Sequence, residues 1–140
     1  MKTNGTIGEQ YAVIAFKQIH WTMFRTQPET KWIGDNKLIP MTSEGTPDFM
    51  GYDNYGRFVA CEVKESDDSK YPATIPCSRL TKTQREWMNK HANNLQAANH
   101  DKISPYHGCY VFVYWLKLKY GTLFKYKSTG SYRIGEGINL

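Results

Sequence analysis

The run Phe58 to Lys64 (FVACEVK) reads as a β-strand that is apolar except for Glu62 and Lys64, two positions apart. Successive side chains of a strand point to opposite faces, so Glu62 and Lys64 share one face while Val59, Cys61 and Val63 share the other. Burying a carboxylate and an ammonium on an otherwise apolar strand is costly unless each has a partner or a metal. A second carboxylate, Asp48, lies on what reads as the hairpin neighbour of this strand, where it can come next to Glu62. Two close carboxylates repel, and a hard divalent cation such as Mg²⁺ or Mn²⁺ relieves the repulsion through oxygen ligands. Such an ion acidifies a bound water, orients it for in-line attack on phosphorus and neutralises charge on the phosphate oxygens. Lys64 is then placed to hold the attacking water or a non-bridging oxygen. The chemistry predicted is metal-assisted phosphodiester hydrolysis.

An acidic residue two before a lysine is common, and so is Pro-Asp in a turn; neither alone means much. The joint pattern is far more specific: Gly45, Thr46, Pro47, Asp48 and Phe49, then a Gly-containing turn, then Val59 to Lys64. Pro47 and Asp48 followed by Glu62, Val63 and Lys64 resemble the signature of the PD-(D/E)xK nucleases. The resemblance implies an α/β, restriction-endonuclease-like core with a mixed central sheet flanked by helices. It also implies a metal site of Asp48, Glu62 and the Val63 carbonyl, with Lys64 supporting the nucleophile.

Two further residues narrow the resemblance to Holliday junction resolvases of the RecU-like and archaeal kinds and to VRR-type nucleases. Glu9, just after Gly8, stands where these families place an acid that completes the metal site; Gln84 stands where they place a glutamine. The implied catalytic set is Glu9, Asp48, Glu62, Lys64 and Gln84, with Ser43 and Thr46 hydroxyls and the cations Arg79, Lys82 and Arg85 toward DNA. Each helix residue also has a plain reading, because Thr6 with Glu9 and Thr81 with Gln84 both fit a capping box. Gln10 departs from the basic residue that archaeal resolvases have after the helix acid, and no long stalk of the RecU kind is identifiable.

These residues must be positioned by a few elements. Ile7, Tyr11, Ile14, Ala15 and Ile19 recur at helical spacing and predict a helix from Ile7 to about Met23. Asp48 to Tyr52 and Arg57 to Glu65 read as a hairpin across the turn Asp53 to Gly56. Leu80, Gln84, Trp87, Met88, His91 and Leu95 form the stripe of a second helix from Thr81 to about Ala98. Cys109 to Leu118 and Leu123 to Lys127 add two strands rich in aromatic and β-branched residues. Residues 25–42 and 65–79 read as irregular, and 128–140 as a flexible Gly-rich tail. The order helix, two strands, helix, two strands predicts one α/β domain over 1–140.

Composition bounds the reading. The 140 residues are 40% hydrophobic, enough for one core, and no run is apolar over the roughly 18 residues of a membrane span. A soluble, cytoplasmic protein is expected. Cys61, Cys77 and Cys109 have no CxxC or Cys-His spacing, which argues against structural zinc or a disulfide framework. A net charge of +5 favours a polyanionic partner, and Lys117, Lys119, Lys125 and Lys127 read as a basic face.

Together with the resemblance this leads to a metal-dependent endonuclease, with Mg²⁺ or Mn²⁺, that resolves branched or four-way DNA as a homodimer. In that reading the stripe Tyr110, Phe112, Tyr114 and Leu116 is core or a subunit interface. The alternatives are a VRR-type or restriction-like nuclease cutting flaps or duplex, and a silent DNA-binding module.

Overall fold

The Thr6 hydroxyl accepts a 3.2 Å hydrogen bond from the Glu9 N–H and starts helix α1, Ile7–Gln18. The computed structural model describes residues 6–26, 30–33, 37–40, 45–68, 73–99 and 106–140. α1 ends earlier than its periodicity predicts. His20 adopts a left-handed φ of 60°, the Trp21 N–H returns to the Phe16 carbonyl, and the chain turns into strand β1, Thr22–Arg25.

A two-stranded hairpin follows, β2 (Thr30–Ile33) with β3 (Lys37–Pro40). Strands β4 (Phe49–Tyr52) and β5 (Phe58–Ser66) then form the expected hairpin. Its turn is tied by the buried Asp53, whose Oδ1 accepts from the Tyr55 and Arg57 N–H groups and whose Oδ2 accepts from Arg57 Nε. β1 lies against β4 so closely that a Cβ on Gly51 would meet the Thr22 carbonyl oxygen at 1.9 Å.

After the short strand β6 (Thr74–Pro76) and a 3₁₀ turn at Cys77–Arg79, helix α2 (Lys82–Asn99) crosses to β7 (Tyr106–Trp115). β7 pairs parallel with β5, as such a crossover requires, and antiparallel with β8 (Tyr120–Lys125). The chain closes with β9 (Ser131–Arg133) and β10 (Ile138–Asn139). The central sheet is therefore mixed, in the order β1-β4-β5-β7-β8-β10.

The two faces of β5 have different covers. Val59, Cys61 and Val63 pack with Phe112 and Tyr114 against Ala12, Ala15 and Phe16 of α1. On the other face Ala60 packs with Met88 of α2, while Val111, Val113 and Trp115 meet β6, β9 and their loops. All three cysteines are buried, and burial pushes the Cys61 and Cys109 thiols up, the latter to about 12.

Several expectations are corrected. The 25–42 stretch contains β2, β3 and the last residue of β1, and the 65–79 stretch contains β6, strands too short to show a period. The aromatic strand is no free interface: Tyr110, Phe112 and Tyr114 are buried beneath α1, and only Leu116 and Leu118 beyond it are partly open. The tail is a structural element. β9 pairs with β6, β10 pairs with β8, Leu140 exchanges backbone bonds with Gly121, and its carbonyl accepts from the Tyr11 hydroxyl at 2.9 Å. Gly137 serves packing, since a Cβ there would meet Thr122 Cγ2 at 2.6 Å and the Leu123 carbonyl at 2.7 Å.

Deleting residues 138–140 is expected to cost about 2–4 kcal/mol, at about 1 kcal/mol for each hydrogen bond lost. Chemical denaturation checks this, and an unchanged midpoint would restore the flexible tail.

Candidate active site

Five of the residues singled out in the sequence meet at one end of the β4–β5 pair. Phe49, the first residue of β4, pairs with Cys61, so Asp48 just before it falls opposite Glu62 where the ladder ends. Its carboxylate replaces the missing backbone partner: Asp48 Oδ2 accepts the Val63 N–H at 2.9 Å. The N–H and C=O of a strand residue point to the same side, so the Val63 carbonyl also faces Asp48.

The segment carrying Asp48 is held from two directions. The Thr26 N–H donates to the Asp48 carbonyl and the Thr26 hydroxyl to the Pro47 carbonyl. Gly45, at φ +82°, lies against the first turn of α2, where a Cβ would stand 2.3 Å from the Thr83 carbonyl oxygen. Only glycine meets both the left-handed conformation and that approach.

Glu62 is 3% exposed. Its Oε1 accepts from Gln84 Nε2 at 3.1 Å, while Oε2 is buried beside the Asp48 carboxyl and, among the described residues, has no hydrogen-bond donor. Burial, with the Asp48 carboxyl beside it, pushes the Glu62 carboxyl up to about 9, and the nearby Lys64 offsets only part of this. A buried carboxylate oxygen left without a donor is rare in a folded protein.

Gln84 realises both of its sequence readings at once. It closes a full capping box, its N–H donating to Thr81 Oγ1 at 3.2 Å and its Oε1 accepting the Thr81 N–H at 2.9 Å. The same Oε1 accepts from Lys64 Nζ at 3.0 Å, and Nε2 turns to Glu62. The amide is thus oriented by donors on one side and an acceptor on the other. Lys64 is half-buried and, among the described residues, forms no ion pair within 4.0 Å.

Other expected residues lie apart. Glu9 pairs with Arg25 at 2.9 Å, and Arg25 in turn lies over the Phe49 ring, beside Asp48 in sequence but on the α1 side. Among the described residues no group of three or more His, Cys, Asp or Glu comes within reach of one metal ion, so Glu9 does not complete the Asp48 and Glu62 pair in this conformation. Thr46 is half-buried just ahead of Pro47, and Ser43 lies outside the described residues. Arg79 donates to the Glu65 carbonyl, and Lys82 pairs with Glu86 at 4.0 Å on the open side of α2. Arg85 is half-buried, and its Nε has no hydrogen-bond partner among the described residues. Of the four lysines of the expected basic face, Lys127 is tied to Glu136. Arg25 and Thr26 were not legible as neighbours of the site, because β1 is too short to announce itself.

No protein family's sequence model matches the chain, and no curated protein matches it. The fold is similar to that of Hjc, a Holliday junction resolvase from the archaeal hyperthermophile Archaeoglobus fulgidus. The two share 14% identity with a TM-score of 0.54 over 95% of this chain and 92% of that one. The likeness bears out the restriction-endonuclease-like α/β fold with its mixed sheet.

The raised Glu62 pKa has a stability consequence. Between the ordinary carboxyl value of 4.5 and about 9 the folded state holds a proton that the unfolded chain releases. In EDTA, stability is therefore fully present below pH 4.5 on this account and falls as the pH rises toward 9. Glu62→Gln, which cannot ionise, is expected to melt higher than wild type at pH 8 and to flatten the slope. Melts across pH test it; an equal or lower melting temperature at pH 8 contradicts the buried carboxyl.

Proposed function

We propose that the chain is a metal-dependent DNA endonuclease of the PD-(D/E)xK type that acts on branched DNA, foremost four-way junctions. The observation that carries this is the Asp48, Glu62, Lys64 and Gln84 network, with one buried Glu62 oxygen that has no donor among the described residues. Asp48, Glu62 and the Val63 carbonyl offer an all-oxygen donor set, which suits Mg²⁺ or Mn²⁺ and not a soft metal. The likeness to a resolvase fold and the net charge of +5 support a DNA substrate.

When bound, the cation would supply Lewis acidity toward the phosphate and an acidified water. The chain's own residues do the remaining work. Asp48 and Glu62 provide the negative oxygens that hold the cation, and the Val63 N–H fixes the Asp48 carboxylate. Lys64, held by Gln84 Oε1, presents its remaining N–H donors to the attacking water or a non-bridging oxygen. Gln84 holds Glu62 and Lys64 at one spacing, because a single planar amide touches both. Glu9 borders the site through Arg25, and a shift of that pair would bring its carboxylate into the donor set. Arg79, Lys82 and Arg85, with Thr46 and Ser43, are the proposed DNA contacts around this opening.

One chain carries one such set, and a junction needs two symmetric cuts, so resolution requires a homodimer. In Mg²⁺ the protein is expected to place paired nicks on opposing strands of a four-way junction and to scatter light as a dimer. Asp48→Asn and Glu62→Gln should abolish cutting and the rise in melting temperature that Mg²⁺ gives the wild type, while DNA binding survives. Lys64→Ala should cost several orders of magnitude in rate. Full cleavage in excess EDTA, or near wild-type turnover in any of the three, removes the site from this position. A monomer that cuts linear duplex or flaps as readily as junctions replaces the resolvase reading with that of a general nuclease.

Glu9→Gln separates two roles. If the carboxylate joins the site, activity falls at a nearly unchanged melting temperature; if it serves only the helix start and the Arg25 pair, stability falls by about 1 kcal/mol with activity kept. Parallel melts and cleavage assays decide between them.

A further inference from the structure

Phe24 and Tyr52 are large apolar side chains left open to solvent, 61% and 50% exposed. Strand register fixes where they stand. Phe24 lies opposite Met50, Met50 opposite Ala60, and Tyr52 opposite both Thr22 and Phe58. Residues directly opposite each other share a face, and so do residues two apart along a strand. Phe24, Met50, Tyr52 and Phe58 are therefore on the same side of the sheet as Asp48, Glu62 and Lys64. The row of Phe24 and Met50 lies roughly 7 Å from the carboxylate row, and the row of Tyr52 and Phe58 roughly 13 Å from it.

Helix α2 covers Ala60 through Met88, and Phe24 on β1 and Tyr52 on β4 remain open. Met50, Phe58 and Trp87 are only partly buried beside it, and the Trp87 ring stacks on His91 at 3.8 Å. Tyr52 rests on Phe58, ring centroids 6.5 Å apart and nearly perpendicular. An aromatic shelf thus runs from the carboxylates along the open side of α2.

We infer that this shelf stacks unpaired bases, so that the proposed nuclease site cuts beside single-stranded nucleotides; the inference rests on that nuclease reading. Three observations choose this occupant. The shelf is continuous with the carboxylate row, on the same sheet face. Its area is small: half to two-thirds of two aromatic side chains amounts to about 200 Å², against the roughly 800 Å² that each partner of a stable dimer contributes. Its rows are roughly 7 Å apart, about twice the 3.4 Å step of stacked bases in a duplex strand, a spacing that fits bases pulled apart and not a paired helix. Every base offers a π-face, so the contact sets no sequence preference. It selects for strand opening at a flap, fork or branch point.

The test uses full-length wild type, Phe24→Ala, Tyr52→Ala and the double variant, all altered at exposed positions, with melts to show that the fold is kept. Binding is measured in Ca²⁺ by fluorescence anisotropy on a forked duplex with unpaired arms and on a fully paired linear duplex. 2-Aminopurine is placed at the first unpaired position. The double variant is expected to bind the fork at least tenfold more weakly, to change less than twofold on the paired duplex, and to lose the 2-aminopurine quenching that wild type shows. Equal losses on both DNAs, no loss on the fork, or a wild-type dimer that the variants split each overturns the shelf. If wild type cuts in Mg²⁺ and the variants match it on forks, the shelf alone fails; if wild type neither binds nor cuts DNA, the nuclease reading fails with it.

Discussion

Glu62 carries its carboxyl into the protein interior next to a second carboxyl, and much of the surrounding structure answers to that cost. A negative charge there is opposed by burial and by Asp48, and it is met by the side-chain donor Gln84 Nε2 and by the more distant charge of Lys64. A fold selected for stability alone would place an apolar residue at this point of the strand, as β5 does at Val59, Cys61 and Val63. Keeping the acid requires that the sheet, the helix above it and the loop beside it be fixed relative to one another. The Gln84 amide does this between β5 and α2. Gly45 does it between the Asp48 segment and α2, by letting two backbones approach closer than any side chain allows.

How much of this the sequence reveals follows from the range of each interaction. Residue order made the shared face of Glu62 and Lys64 readable, and the Asp53 to Gly56 turn put Asp48 on the neighbouring strand, but the register that sets Tyr52 opposite Phe58, and so Asp48 opposite Glu62, came only with the structure. Gln84 was readable as a cap or as a site residue but not as both, because the choice depends on the distance between α2 and β5, which no periodicity encodes. β6 and β9 are three residues each, and pair with partners far away in the chain. A strand of that length has no period to detect, and Pro76 and Gly130 beside it read as punctuation. The tail misled for a related reason. Glycine marks conformational freedom in an isolated chain, whereas at Gly137 it marks a neighbour too close for a Cβ.

The early end of α1 shows a tertiary demand overriding a local one. Apolar spacing continues past Gln18, yet Trp21 is needed against Phe16 and Tyr110, with ring centroids 6.0 and 5.0 Å away. The left-handed His20 turns the chain to put it there and starts β1 in register with β4. β1 in turn delivers Thr26 to Pro47 and Asp48. A helix a turn longer would leave the Asp48 segment without its brace.

The buried thiols give the molecule an internal clock. Cys61 stands back to back with Glu62 on the same strand, and Cys109 faces the Ala60 and Met88 cluster on the neighbouring one. Both are held as unreactive thiols, because burial opposes the thiolate. A thiol reagent can reach Cys61 only when helix α1 lifts from the sheet, and Cys109 only when α2 does. The rate at which Cys61 is modified under native conditions then follows the opening of the layer behind the strand that bears Glu62 and Lys64, read next to the chemistry and without any label added to the chain.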